Sequence, residues 1–337
     1  MLVNSSAPTR IDLAGGTMDI WPIYLFHDKA RTINIAIDQR ARAKVEQTSG
    51  SAIEIRSEDQ DVNLRLPSID YVEETIAKGH SLELILRLLA FFRPEGGLSI
   101  TTQCMSPAGA GLGGSSALCI SLTGAFNTLI GGKYSREELI TIAKNIETQV
   151  LKIPAGVQDY YPAMYGGLNS VCLDVMGEAL LRHSHLLAHA IESRLVLVYS
   201  GTSRNSGANN WDVMKNYFDG NPEVKANMQA IQDAATDVEV ALKTGRFDEA
   251  AQAIEFEMEH RKKLCPSIST PEIDEMITFA KENGAKAAKI CGAGGGGCVM
   301  FWTNPNDKYP LIKKLREKNM QIIDFHVDSE GLSVNSY

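Results

Sequence analysis

The sequence predicts a two-domain α+β protein, and three observations carry that expectation. Short runs in which apolar and polar residues alternate fill roughly the first 60 residues, the mark of strands. Long stretches of helical periodicity dominate after residue 190 or so. The chain has 337 residues, 44% of them apolar, enough to bury two cores. No Pro- or Ser-rich linker divides it, so domains 1–190 and 191–337 are expected to share a wide interface with a ligand cleft between them.

Taken in order, the segments around Ile11 to Ala14, Thr32 to Ile37, Arg42 to Gln47 and Ala52 to Arg56 read as strands. HSLELILRLLAFFR, residues 80 to 93, has helical spacing, and LSITTQC reads as a strand leading into the glycine-rich PAGAGLGGSSA. A helix is expected from Ser115 to about Leu129. Ser135 with Glu138 forms a capping box that opens another through about Leu151, ended by Pro154 and Gly156. YGGLNSVCLDV and Leu195 to Tyr199 return to strand. Lys225 to Leu242, Phe247 to Lys262 and Pro271 to Asn283 read as amphipathic helices. AAKI, CVMFW and MQIIDFHV read as strands of a second small sheet, the first two separated by a glycine loop.

Composition excludes several function classes. A net charge of -8 does not suit a nucleic-acid groove or an anionic membrane surface. The six cysteines include no C-x-x-C pair, so neither a zinc site nor a disulfide framework is indicated. MLVNSSAPTRIDLAGG has no basic start followed by an apolar run, and no later run suits a bilayer span, so a cytoplasmic protein is expected. His183, His185 and His189 invite a metal reading, but no nearby acid or cysteine completes a ligand set. His27-Asp28 reads as a surface loop.

The most informative run is Pro107 to Ala117, between a predicted strand and a predicted helix. A tight turn needs one or two glycines, and this loop has four. Glycines let backbone amides converge, and a helix N-terminus adds partial positive charge, so the loop can cradle phosphates. Gly109, Gly111 and Gly114 also spell G-x-G-x-x-G, but the acids at the dinucleotide distance, Glu137 and Glu138, open a helix where that motif needs a strand end. No phosphate-binding G-x-x-x-x-G-K-[ST] occurs, since Gly132-Lys133 is followed by Tyr134.

Three motifs in order resemble those of the GHMP kinases, the superfamily named for galactokinase, homoserine kinase, mevalonate kinase and phosphomevalonate kinase. They are Pro8 to Asp19, Pro107 to Ala117 with Gly114 where Ser or Thr is common, and Lys289 to Cys298. Arg10 and Asp19 align with the galactokinase-like opening motif. Gly15-Gly16-Thr17, Gly156 to Asp159 and Tyr199 to Arg204 are similar to the heptose-phosphate kinase branch, with fucokinase nearby.

The resemblance implies a β-rich N-terminal domain with helices, a ferredoxin-like C-terminal domain and an active site between them. It implies an ATP- and Mg2+-dependent phosphotransferase acting on a small sugar or sugar phosphate, a heptose 7-phosphate at its anomeric hydroxyl, and it leaves a homodimer open. A fucose- or galactose-type 1-kinase is the alternative, and a non-catalytic sugar or nucleotide sensor is a different class. A nicotinamide oxidoreductase rests only on the glycine spacings.

Site roles follow from the same resemblance. Asp159 is the base and Arg10 neutralises or polarises charge at the reacting oxygens; on their own these residues read as an Asx turn and a surface ion pair. The nucleotide falls to Pro107, Gly109, Ala110, Gly111, Leu112, Gly113, Gly114, Ser115 and Ser116. Magnesium falls to Glu147 with Ser115 or Ser116. Asp19, Gly16, Thr17, Gly294, Gly295 and Arg204 face the acceptor, Arg204 as a bidentate partner for a substrate phosphate. Outside the family context Glu147 is a solvated helix acid, Asp19 a cap, Arg204 an exposed loop arginine and the 292 to 297 loop a flexible hairpin.

Overall fold

The computed structural model describes residues 1–202 and 207–337. The first half builds one sheet from β1 (Leu2–Ala14), β2 (Ala30–Thr48), β3 (Ile53–Ser57), β4 (Val62–Leu66) and β5 (Gly97–Cys104). Helices α1 (Val72–Ala77), α2 (Glu83–Phe92), α3 (Gly114–Leu129), α4 (Arg136–Leu151) and α5 (Tyr160–Tyr165) lie along the same stretch, followed by the hairpin β6 (Leu168–Asp174) and β7 (Gly177–Arg182). The second half runs α6 (His185–Glu192), β8 (Leu195–Tyr199), α7 (Gly207–Phe218), α8 (Pro222–Lys243), α9 (Phe247–Lys262), α10 (Pro271–Glu282), β9 (Ala285–Ile290), β10 (Cys298–Thr303), α11 (Lys308–Glu317), β11 (Gln321–Ile322) and β12 (Ser333–Ser336).

The first sheet orders as β12-β1-β2-β5-β3-β4, with β6 on β2 and β7 on β6. The two runs expected at Thr32 to Ile37 and Arg42 to Gln47 are one strand, β2, whose first half pairs with β6 and whose second half pairs with β5. The second sheet orders as β11-β8-β10-β9, and all its pairings are antiparallel. Numbered within the half, that is 4-1-3-2 with helices after the first and third strands, the ferredoxin-like arrangement. β12 returns to pair with β1 in the first sheet.

The capping box forms, with Glu138 N donating to Ser135 Oγ and Ser135 N to the Glu138 carboxylate. The N-terminal half of β1 alternates in burial, but from Ala7 to Ala14 every residue is buried. The reason is a second covering layer. Ile11, Leu13, Ile33 and Ile35 of the first half join Leu195, Leu197, Met300 and Trp302 of the second in one apolar cluster. The seam is therefore one continuous apolar cluster shared by the two halves.

Candidate active site

Helix α3 sets the site's first half. It is buried from Ser116 to Phe126 and packed on the sheet, so its N-terminus is held at one fixed point. Gly113 occupies the cap position in the left-handed region at φ 74°, with no side-chain cap and no acid in the first turn. The first backbone N–H groups of α3 therefore lack a helical acceptor, and the helix's own first turn carries no acid, which suits anion binding. This loop and helix line a cleft of about 420 Å3, and Pro107 to Ser116 all contribute to its wall.

The glycines of this loop answer first to the protein itself. A Cβ on Gly111, at φ 73°, would lie 2.4 Å from the Cys291 carbonyl oxygen, and one on Gly292 would lie 2.8 Å from Gly111 Cα. A Cβ on Gly297 would meet Ala110 O at 2.7 Å, while Cys298 N donates to that same oxygen at 2.8 Å. The two glycine loops thus pack backbone on backbone, one from each half. The 292 to 297 segment is no free hairpin, since Gly295 N also donates to Ile268 O at 2.8 Å.

Arg10 and Asp159 meet at the floor of the cleft. Arg10 is 2% exposed; its Nε donates to Asp159 Oδ1 at 2.7 Å, Nη2 lies 2.5 Å from the same oxygen, and Nη1 donates to Gly111 O at 2.5 Å. Asp159 precedes α5 but makes no cap bond, so neither the Asx-turn nor the surface-pair reading holds. It keeps 24% of its side chain accessible and lines the cleft. A Cβ on Gly113 would sit 3.1 Å from Asp159 Cγ, which ties the nucleotide-side loop to the carboxylate.

Glu147 on α4 is buried rather than solvated. One carboxylate oxygen accepts from Ser116 Oγ at 2.7 Å and from Tyr160 OH at 2.6 Å. Burial pushes its pKa up, against the opposing pull of the Ser115, Tyr160 and Ser116 hydroxyls. Among the described residues no group of three His, Cys, Asp or Glu could hold a metal ion. A divalent cation would be held by Glu147, a serine hydroxyl and phosphate oxygens, the hard-oxygen set that suits magnesium.

Asp19 is buried, with Oδ2 accepting from Gln158 N at 2.9 Å. Burial raises its pKa to about 6, with Asp159 adding repulsion and the Gln158 amide opposing. Gly156, expected as a helix stop and as part of the Gly156 to Asp159 run, makes room for it: a Cβ there would fall 2.0 Å from Asp19 Oδ2. Thr17, Asp19 and Gly294 line the cleft with Arg10, Glu147 and Asp159. Gly16 and Gly295 do not; Gly16 lies behind the wall, where a Cβ would meet Asp12 Oδ2 at 2.5 Å and Arg261 Nη1 at 2.8 Å. Arg204 falls outside the described residues.

Several neighbours lie at the site although the sequence reading gives them no role. Tyr160, Gln158 and Asn210 line the cleft. Behind the glycine turn at Gly15 a buried ion network joins Asp12, Glu257, Arg261 and Lys289. Asp12 was legible in principle, since it sits two residues after Arg10 and strand alternation puts both on one face. Cys291 lines the cleft, and burial pushes its thiol up to about 11.

His183 is half-buried, while His185 and His189 are exposed. His183 Nε2 lies 2.8 Å from Ser170 Oγ, and the His185 and His189 rings stack at 4.3 Å. His27 is not in a surface loop as expected: it is buried at the seam, with its ring 5.6 Å from that of Tyr217 and Nδ1 3.2 Å from Gln229 Oε1.

Two family profiles match this chain, "GHMP kinases N terminal domain" over residues 77–167 and "GHMP kinases C terminal" over residues 238–320, and between them they cover about half of it. The chain belongs to the GHMP kinases. Its matched segments hold the first glycine loop, Glu147 and Asp159 on one side, and α9 to the second glycine loop on the other.

Among proteins of this family it is similar to D-glycero-alpha-D-manno-heptose 7-phosphate kinase of Campylobacter jejuni, 27% identical over 336 residues, covering 98% of each chain. It is likewise similar to mevalonate kinase of Pyrococcus abyssi, 27% identical, covering 99% of this chain and 98% of the relative. The crystal structure of a D-glycero-D-manno-heptose 1-phosphate kinase from Bacteroides thetaiotaomicron superposes with a TM-score of 0.79 at 25% identity, covering 99% of both chains. The GHMP kinase fold expected from the three motifs is the fold observed. No helix among the described residues is long and apolar enough to cross a membrane.

Proposed function

We propose that this GHMP kinase is an ATP- and Mg2+-dependent sugar kinase that phosphorylates the anomeric hydroxyl of a heptose 7-phosphate in the cytoplasm. The observation that carries the reading is the Arg10–Asp159 couple at the floor of a cleft that also receives the α3 N-terminus and Glu147. Full-length similarity to the Campylobacter heptose 7-phosphate kinase, and superposition at 25% identity on the Bacteroides enzyme, support the sugar class.

Phosphoryl transfer through a loose transition state asks for positioning and charge neutralisation more than covalent chemistry. The α3 amides and the Pro107 to Ser116 loop bind the triphosphate. Glu147, with Ser115 or Ser116, would hold magnesium, which would supply charge neutralisation on the phosphate oxygens. Asp159 takes the proton of the acceptor hydroxyl, and Arg10 keeps that carboxylate oriented while placing fixed positive charge beside the reacting oxygens. Asp19 and Thr17 receive sugar hydroxyls, and Gly294 lets the acceptor approach the second loop. Arg204 remains the candidate for the acceptor's own phosphate, and the acceptor lies between domains 1–190 and 191–337.

The test is ADP release from ATP and Mg2+ over a panel of heptose 7-phosphates, free hexoses, 6-deoxysugars and mevalonate. A dominant signal with a heptose 7-phosphate supports the proposal. A dominant signal with a free sugar moves the chain to the fucose- or galactose-type reading, and one with mevalonate removes the sugar class. Silence with intact nucleotide binding favours a sensor.

A further inference from the structure

The interface behind the cleft is held by four charged side chains that are almost wholly buried, two from each sign, and none of them has a role in the reading above. Asp12 extends from β1, two residues beyond Arg10. Arg261 and Glu257 lie one turn apart on α9, and Lys289 lies on β9. Arg261 Nη1 reaches Asp12 Oδ2 at 3.3 Å, and Lys289 Nζ reaches the same oxygen at 3.5 Å and Glu257 Oε1 at 2.8 Å. Glu257 Oε1 also accepts from Gly15 N at 3.3 Å.

Arg261 is the member that bonds both β1 and the second glycine loop. Its Nη2 donates to the carbonyl of Gly292, the first residue of the second glycine loop, while Nη1 holds Asp12. It lines the cleft at 1% exposure. Gly16 has no Cβ to intrude on either Asp12 or Arg261. An ion network of this kind gains little net stability over an apolar filling, because desolvation offsets its attraction, so its presence calls for another explanation. Direction is what it supplies: a planar guanidinium fixes two acceptors from different halves of the chain at once.

We propose that Arg261 is a positioning residue for phosphoryl transfer, clamping Asp12 of β1 to the Gly292 carbonyl so that the Arg10–Asp159 couple and the second glycine loop stay in register. The inference rests on the kinase reading for its kinetic consequence, but the clamp itself is a statement about the two halves. A displacement of about 1 Å at a reacting centre can cost roughly 100-fold in rate, so the clamp acts on kcat rather than on nucleotide affinity.

The experiment compares the full-length protein with Arg261→Met, Arg261→Lys and Asp12→Asn, with Lys262→Met as a control that alters only an outward pair with Asp274. Arg261→Met is expected to lower kcat by roughly 10- to 100-fold with less than about a threefold change in the KM for ATP. Arg261→Lys recovers part of the loss, since it keeps the charge on Asp12 and gives up the second donor. In an Asp159→Asn background, adding Arg261→Met costs less than about threefold more, because both act through one geometry. An unchanged kcat, or a full-sized loss in the double variant, overturns the proposal.

Hydrogen exchange gives a reading independent of turnover. Peptides covering residues 12–17 and 292–297 are expected to exchange about tenfold faster or more in Arg261→Met while α3 stays protected. Unchanged exchange there sinks the clamp even in an active enzyme. A wild-type protein silent with every acceptor sinks the kinase reading, and exchange still decides the clamp. If Arg261→Met does not fold, Arg261→Lys and Asp12→Asn carry both measurements.

Discussion

Arg10 holds one oxygen of Asp159 with two of its nitrogens, at 2.7 and 2.5 Å, across 149 residues of sequence. The guanidinium is buried and the carboxylate is partly open to the cleft, so the pair presents a carboxylate to a bound acceptor while its partner stays fixed behind it.

Asp159→Asn keeps the shape of that contact and removes the base. A fall in kcat of about 100- to 10,000-fold, read well below the unfolding midpoint, is the expected result of steady-state assays, and a thermal melt should show a lowered midpoint because the buried Arg10 loses its counter-charge. Turnover within about threefold of wild type would reduce Asp159 to an anchor for Arg10.

Glu147 sits under the hydroxyls of Ser116 and Tyr160, with its pKa raised by burial. Glu147→Gln should raise the Mg2+ concentration for half-maximal rate by about 10- to 100-fold. In the wild type the Mg2+ requirement should also climb as pH falls, since proton and metal compete for one carboxylate, and the Gln variant should lack that climb. Mg2+ titrations at several pH values check both, and superimposable titrations for the two proteins would end the assignment.

Asp19 carries a pKa raised from 3.8 to about 6 by burial. Its folded form keeps a proton that the unfolded chain releases, so its contribution to stability is present below about pH 4 and is lost as pH rises through 6. The loss is of the order of 3 kcal/mol at most. Asp19→Asn should therefore show a flatter dependence of unfolding free energy on pH between 4 and 7. Its acceptor KM should be higher than the wild type's above pH 6, where the wild-type carboxylate is ionised. Denaturant titrations and acceptor kinetics across that range are the measurements, and equal pH slopes would remove Asp19 as the group responsible.

Gly111→Ala places a methyl group 2.4 Å from the Cys291 carbonyl at a backbone φ of 73°. Both strain and collision act, so a loss of about 2 kcal/mol or more in stability is expected, together with weakened nucleotide binding as the loops part. Gly50→Ala, whose Cβ meets nothing nearer than 4.0 Å, serves as the control and should stay near wild type. Calorimetry on the two variants separates loop packing from a generic glycine effect.

Much of the fold was legible because its signals are local. Ser135 and Glu138 announce a helix start three residues apart, and the alternation in LSITTQC and the periodicity of Phe247 to Lys262 need no partner to be seen. β12 was not legible, since a four-residue polar strand becomes one only by lying against β1. β2 read as two strands because neither its length nor its change of partner from β6 to β5 leaves a mark in the residues.

The chemistry divides in the same way. From the residues alone come the glycine-rich loop before a helix and, through three ordered motifs, the kinase family with Arg10, Asp19, Glu147 and Asp159 as candidates. Only the tertiary structure decided that Arg10 pairs with Asp159 rather than with solvent, that Glu147 is buried under hydroxyls, and that Gly111, Gly292 and Gly297 are glycines where the two loops touch each other. It also revealed Arg261, an ordinary residue of an amphipathic helix until β1 and Gly292 are placed beside it. The reason is physical: a side chain's charge and size are carried by the sequence, but its partner and its exposure belong to contacts between segments more than a hundred residues apart.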